Sequence, residues 1–235
     1  MPSSAVRTVF VPGLLCSARL YEPLLPTAWA HGPVTVADTR RDDSIAGMAA
    51  RLLEDAPSTF VLVGVSMGGY VALEVVRRAP DRVAGLALLS TSARPDSTEQ
   101  LASRARQSDL VRAGQFDALV EGAFDLLPEA GHVDDVRLRT QWRTMAHDVG
   151  AEAFLRQQQA VMDRADARPG LGAIACPTSV IHGSGDRLIT PDHAEETAAA
   201  VPDATLTLVE NAGHLLAQEQ PVATAQALEA LLSRL

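Results

Sequence analysis

Two cysteines, Cys16 and Cys176, are all the thiols that 235 residues contain. Two thiols cannot build a disulfide framework, and their neighbours lack the spacing of metal ligands. They read as buried or half-buried groups of a protein kept in a reducing compartment. Long apolar runs are also missing: no segment approaches the roughly 18 consecutive apolar residues of a membrane span. The opening MPSSAVRTVFVPG has one Arg and an apolar run of about six residues before Pro12-Gly13, too short for a secretory signal with its cleavage site. A cytoplasmic location, away from membranes, is the expectation. Basic charge is scarce: 20 Lys and Arg stand against 29 Asp and Glu, for a net charge of −9. Such a chain repels phosphate backbones and anionic lipid, which argues against nucleic-acid and membrane partners. No Gly-x-Gly-x-x-Gly follows a strand-like run, and no His, Cys or carboxylate cluster has metal-ligand spacing. Neither a cofactor nor a metal is expected. There is no internal repeat and no low-complexity tract.

What is present is an ordinary globular composition, 47% hydrophobic and 21% charged. The length suffices for one sizeable core. Val6–Val11 is a β-rich run stopped by Pro12-Gly13, and Val34–Ala37 is a second short strand. Ser44 is placed to cap a helix over Ile45–Asp55. Phe60–Val65 is apolar throughout, as a parallel strand buried on both faces should be. Met67–Arg78 predicts a helix that ends in two Arg before Pro80, and Val83–Leu89 another apolar strand. Strand, helix and strand alternate at lengths suited to right-handed crossovers.

The pattern then changes. From about Ser92 to Ala173 no strand is legible, and helices are predicted over Gln100–Ala113, Phe116–Leu126, Val136–Asp148 and Ala151–Arg164. Alternation resumes with a strand at Thr178–His182, a helix at Pro191–Ala200, a strand at Thr205–Val209 and a helix at Pro221–Arg234. The predicted organisation is an α/β core, residues 1–91 and 174–235, with a helical cap, residues 92–173, inserted after the strand ending near Leu89. Ligands of such sheets bind beyond the carboxyl ends of the strands, so the residues that follow strands carry the functional interest.

Three of them stand out. Gly64-Val65-Ser66-Met67-Gly68 lies between the most apolar strand and a helix. This is Gly-x-Ser-x-Gly in the strand-turn-helix setting where a serine hydroxyl is thrust over the sheet edge. A Cβ at Gly64 or Gly68 would clash with the neighbouring strand and helix. The helix N-terminus would offer N–H groups to a developing oxyanion. Asp186, in Gly183-Ser184-Gly185-Asp186, directly follows the strand after the cap. His214, in Asn211-Ala212-Gly213-His214, directly follows the last strand. Alone, each would read as an ordinary loop residue. In the order Ser66, Asp186, His214 they can form nucleophile, orienting acid and base.

On these residues, on the Pro177-Thr178 strand entry and on Asn-Ala-Gly-His near the C-terminus, the chain resembles the α/β-hydrolase superfamily over essentially its whole length. The likeness is to the small bacterial esterase, lactonase and C–C-hydrolase-like branch with a helical cap. The resemblance implies an α/β-hydrolase fold, a mostly parallel sheet flanked by helices, and a Ser66–His214–Asp186 triad. The family's oxyanion loop usually reads His-Gly-x after the first strand, whereas this chain has Pro12-Gly13-Leu14. Because the donor is a backbone N–H, the Leu14 and Met67 N–H groups are the implied oxyanion hole. Leu15, Phe124, Trp142 and Leu215 are candidates to line the substrate pocket, with most of Phe124, Trp142, Met145, Phe154 and Met162 serving the cap core. Leu15, Cys16, Ser17 and Arg19 continue the oxyanion loop. Asp38 reads as a turn former, His182 and His193 as structural, and His147 and Asp148 as a solvated helix end. The implied activity is serine hydrolysis of a small, largely apolar carboxylic ester, lactone or thioester by a monomer or homodimer. C–C hydrolysis, a lyase step or peracid formation on the same triad remain open, as does a slow-turnover small-molecule receptor.

Overall fold

Short β-branched runs form the strands of a six-stranded sheet in the computed structural model, which describes residues 6–235. The first five residues of the 1–91 core segment, the start of the opening read above for a signal, lie outside the described residues. The strands are β1 (Arg7–Val11), β2 (Val34–Val36), β3 (Phe60–Val65), β4 (Val83–Leu89), β5 (Thr178–Gly183) and β6 (Ala204–Val209). Their spatial order is β2-β1-β3-β4-β5-β6, and every pairing is parallel. All six positions of β3 are buried, which is why its sequence shows no polar alternation. Its side chains still alternate between faces: Val61, Val63 and Val65 enter one core cluster, Phe60 and Leu62 the other.

The helices are α1 (Leu25–His31), α2 (Ile45–Asp55), α3 (Met67–Arg78), α4 (Thr98–Arg112), α5 (Phe116–Phe124), α6 (Val136–Val149), α7 (Ala151–Met162), α8 (Asp192–Ala200), α9 (Leu216–Glu219) and α10 (Pro221–Leu232). Met48 and Leu52 of α2 and Val71 and Val75 of α3 fill the core on one face of the sheet, while Ala28 of α1 and Leu228 and Leu231 of α10 fill the other. Between β4 and β5 the described residues contain helices and no strand: α4 to α7 form the insertion after Leu89. Ser44 caps α2 through the Gly47 N–H, as its position foretells. Ser97 and Gln100 cap α4 with a reciprocal box. A break at Gly150, with φ +82, separates α6 from α7. No described helix is long and apolar enough to cross a membrane.

Several boundaries differ from the sequence reading. α5 stops at Phe124 because the Leu127 N–H turns back to the Phe124 carbonyl ahead of Pro128. α7 stops at Met162, two residues before the predicted end. Pro191 stands before α8 as its N-cap, not within it. The 3₁₀ turn Ala18–Leu24 and α1 were not foreseen. Pro23 and Pro26 interrupt their apolar spacing, but Pro26 occupies the first turn of α1, where its missing N–H would have had no partner.

Candidate active site

Parallel strands deliver their carboxyl ends to one edge of the sheet. The chain reverses direction of travel across the sheet between β1 and β3, and it is at such switch points that open α/β sheets bind ligands. Leu14 follows β1 and Ser66 follows β3 at this point.

Ser66 sits between β3 and α3 with φ 53 and ψ −117, a conformation rare for any residue but glycine. Strain of this kind persists only where the surroundings enforce it. Here the Ser66 N–H donates to the Leu89 carbonyl at 2.9 Å, and the Ser66 carbonyl accepts from the Gly69 N–H and the Thr91 hydroxyl, both at 2.8 Å. The flanking glycines permit the turn by close approach: a Cβ on Gly64 would run into the Gly68 carbonyl, and one on Gly68 into the Val11 carbonyl of β1.

Asp186 and His214 meet beneath the cap. His214 Nδ1 donates to Asp186 Oδ2 at 2.8 Å, and the other carboxylate oxygen accepts the N–H groups of Leu188 at 2.9 Å and Ile189 at 3.0 Å. Burial pushes the Asp186 carboxyl up, but His214 and the surrounding donors outweigh it and hold it below the usual carboxylate range. An ionised Asp186 fixes the His214 tautomer with its proton on Nδ1, leaving Nε2 as the basic nitrogen. His182 supports this arrangement. Its Nε2 donates to the Ile189 carbonyl at 2.7 Å and lies 3.4 Å from Asp186 Oδ2. Burial holds its imidazole below the usual histidine range, so it is neutral at pH 7.

The His214 loop is clamped from the cap. The His214 N–H donates to the Leu127 carbonyl at 2.6 Å. A buried carboxylate, Glu219, accepts the Gly213 N–H at 3.0 Å, the Glu129 N–H at 2.7 Å and His132 Nδ1 at 3.0 Å. The loop after β1 is held likewise. Leu15, with φ 59, donates its N–H to Gln157 Oε1 of α7 at 3.1 Å, while Gln157 Nε2 donates to the Thr39 carbonyl and hydroxyl. Among the described residues the N–H groups of Leu14 and Met67 donate to no backbone or side-chain acceptor.

Ser66, Met67, Leu14 and His214 line one cavity of about 200 Å³ between the strand ends and the cap. Among the described residues the Ser66 hydroxyl and His214 make no hydrogen bond to each other, and both face this cavity. A larger cavity of about 560 Å³ lies behind Tyr70 and Arg164 and touches none of these four residues. Of the residues expected to line a substrate pocket, Leu15, Trp142 and Leu215 line this cavity. Phe124 does not: it is fully buried in the cap core with the Arg139 guanidinium 4.4 Å from its ring centroid, and Leu119, Ala123 and Leu127 face the cavity in its place. Cys16 lines the cavity, and burial pushes its thiol up to about 12, so it is no competing nucleophile. Ser17 and Arg19 bind Asp148 at the end of α6, at 2.8 and 2.9 Å. Asp38 is bound by Arg40 and Arg41 in its turn. His193 accepts or donates at Ser92 Oγ, 2.7 Å away, and reaches the cavity wall.

Gln157, Glu219 and Tyr70 escaped the sequence reading, and Arg104 and Arg164 stood in it only as two of the cap's many arginines, with no face assigned. A signal existed for Gln157 and Gln158: both fall on the apolar stripe of α7 with Phe154 and Val161, and a polar side chain there must find partners. No group of His, Cys, Asp and Glu among the described residues could hold a metal ion.

A family model described as the alpha/beta hydrolase family matches residues 7–227. The chain is 29% identical, over 89% of its length and 85% of the relative's, to a pimeloyl-(acyl-carrier protein) methyl ester esterase of Aromatoleum aromaticum. Among solved structures, a thermophilic esterase from Thermogutta terrifontis superposes with a TM-score of 0.88 at 26% identity, covering 97% of this chain and 90% of that one. The enol-lactonase of Burkholderia xenovorans LB400 also superposes with a TM-score of 0.88, over 98% of this chain and 92% of that one, and at 22% identity shows the likeness of fold.

Proposed function

The chain belongs to the alpha/beta hydrolase family, and from that premise we propose that it is a serine hydrolase of small carboxylic esters acting through Ser66, His214 and Asp186. The observation that carries this reading is the 2.8 Å bond from His214 Nδ1 to Asp186. It leaves Nε2 as the free base of a histidine that lines the same cavity as Ser66. His214 takes the proton of Ser66 as the hydroxyl oxygen attacks the ester carbonyl carbon. The N–H groups of Leu14 and Met67 hold the tetrahedral oxyanion. The imidazolium returns its proton to the leaving alcohol, and the acyl-enzyme remains. A water activated by the same imidazole then releases the acid and restores Ser66. Asp186 stays ionised throughout and stabilises the imidazolium.

The substrate is a small molecule whose apolar part packs against Leu119, Trp142 and Phe154 on the cap side of the cavity. The esterases among its relatives support an ester, to which a lactone is equivalent for this chemistry. Hydrolysis of a p-nitrophenyl ester series from acetate to laurate, by the wild type and Ser66→Ala in parallel, tests the reading. Turnover lost in Ser66→Ala is the expected result, and the preferred chain length sizes the pocket. A wild type inactive on every ester, or an equally active Ser66→Ala, overturns it.

A further inference from the structure

The cavity has a polar wall for which the cleavage of an apolar ester has no use. α4 turns Gln100, Ser103, Arg104 and Gln107 toward it, one helical face at positions i, i+3, i+4 and i+7. Arg104 is fixed in place. Its Nε donates to Asp96 Oδ2 at 2.5 Å and its Nη1 to Gln158 Oε1 at 3.0 Å. Gln158 is fully buried and is itself anchored by donating to Gln107 Oε1 at 2.7 Å. On the far side of Asp96, Arg164 Nη2 lies 2.8 Å from Oδ1. The Arg164 guanidinium also stacks 4.4 Å from the centroid of the Tyr70 ring.

One carboxylate lies between the two guanidinium groups of this wall. Asp96 has a side chain only 1% exposed. Burial pushes its carboxyl up, but Arg164 and Arg104 outweigh that and keep it ionised. Of the other titratable groups facing this wall, Tyr70 has its phenol pushed up by burial and stays neutral, and His193 is held below the usual histidine range by burial and by Arg94 and is neutral at pH 7. Two guanidinium cations therefore share one carboxylate at this end of a largely apolar cavity. A guanidinium with an open donor in such surroundings favours a matching anion. The donors show where that anion would sit. Arg164 has all three nitrogens engaged, with the Arg94 carbonyl at 3.2 Å, the Val161 carbonyl at 2.9 Å and Asp96. Arg104 Nη2 donates to nothing among the described residues.

We propose that this wall is a carboxylate subsite: the natural ester carries a second, anionic carboxylate that Arg104 binds through Nη2, while Ser66 attacks the ester carbonyl. One open guanidinium nitrogen suits a monoanion. The proposal rests on the reading of Ser66 as the nucleophile.

Two matched series test it. The first sets mono-p-nitrophenyl esters of dicarboxylic acids, succinate to suberate, against uncharged p-nitrophenyl esters of the same chain length. The second sets acetate esters of ω-hydroxy acids against acetates of the matching alkanols, so that the charge is carried on either side of the ester. In at least one series the wild type favours the carboxylate by tenfold or more in kcat/KM, the effect of one charge-assisted hydrogen bond. In Arg104→Met the ratio drops about tenfold, chiefly through KM, and Arg104→Lys restores part of it. Since Arg104→Met leaves Asp96 short of a partner, the ratio is also measured in Asp96→Asn/Arg104→Met, with far-UV circular dichroism reporting the fold. Both folded variants lose the preference if the subsite exists. No preference in either wild-type series, or a ratio unchanged in a folded Arg104 variant, overturns the subsite. Turnover that survives Ser66→Ala overturns the nucleophile instead, so the two failures are distinguishable.

Discussion

The proposed oxyanion loop is tied to Gln157, far from it in sequence. Its amide accepts from Leu15, which has a left-handed conformation, beside Leu14, which lines the cavity and is the proposed oxyanion donor. Gln157→Leu keeps the volume and removes the acceptor. The buried Leu15 N–H then lacks a partner, at a cost of about 1–3 kcal/mol in stability. With Leu14 released, kcat for ester hydrolysis is expected to fall roughly a hundredfold, the effect of losing one oxyanion donor. Steady-state kinetics with a circular dichroism melt checks both, and a variant with unaltered kcat would remove Leu14 from the hole. The contrast with Ser66, Asp186 and His214 explains what the sequence makes legible. Those three announce themselves because each directly follows a strand, and parallel strands bring their carboxyl ends to one edge whatever the loops do. Phe124 went wrong because helical periodicity says that a residue is buried, not whether it faces a cavity or the cap core. Arg104 and Arg164 were visible as cap arginines, but the Asp96 that gathers them lies in the loop after β4, and no spacing rule links the three.

At the scale of elements, strands were easier to place than helix ends. β3 and β4 match their apolar runs residue for residue, since burial on both faces leaves no polar position inside them. α5 and α7 end short of their apolar patterns because capping turns, not hydrophobicity, close them. The shortest elements matter out of proportion. α9 spans four residues, yet it carries Glu219, which joins the His214 loop to the Glu129 backbone beyond α5. Glu219→Ala strips two backbone N–H groups of their acceptor and is expected to destabilise the protein by about 3 kcal/mol. It also loosens the loop that carries His214. Glu219→Gln keeps an acceptor and recovers part of the stability. Urea unfolding of the two variants checks the order, and equal midpoints for wild type and Glu219→Ala would show that the carboxylate holds nothing.

Across the whole molecule, the cap is stitched to the loops after β1 and β6, which carry Leu14 and His214. Gln157 reaches the β1 loop, the Leu127 carbonyl reaches His214, and Asp148 binds Ser17 and Arg19. Packing of this kind buries histidines, and their titration sets how stability follows pH. His182 and His193 have folded-state pKa values lowered by burial. Below the unfolded value of about 6.5, the unfolded chain binds protons that the native state refuses. Their contribution is therefore complete above that pH and declines as pH falls toward the folded values. Asp186 and Asp96, with lowered carboxyl values, add a second loss below about pH 4, as pH drops through their folded values. The melting temperature at pH 5.5 is thus expected to lie below that at pH 7.5. The gap should narrow in His182→Gln, which can still donate to Ile189 but does not titrate. A melting temperature level across this range would contradict the buried neutral histidines.

The central claim is that Ser66 is the nucleophile and His214 its base. Intact-protein and peptide mass spectrometry after treatment with a fluorophosphonate tests it most directly, because the reagent needs an activated serine and no knowledge of the substrate. One adduct per chain, mapped to Ser66, absent in Ser66→Ala and slowed at least a hundredfold in His214→Ala, is the expected result. No adduct, or an adduct on another residue that persists in Ser66→Ala, would contradict it.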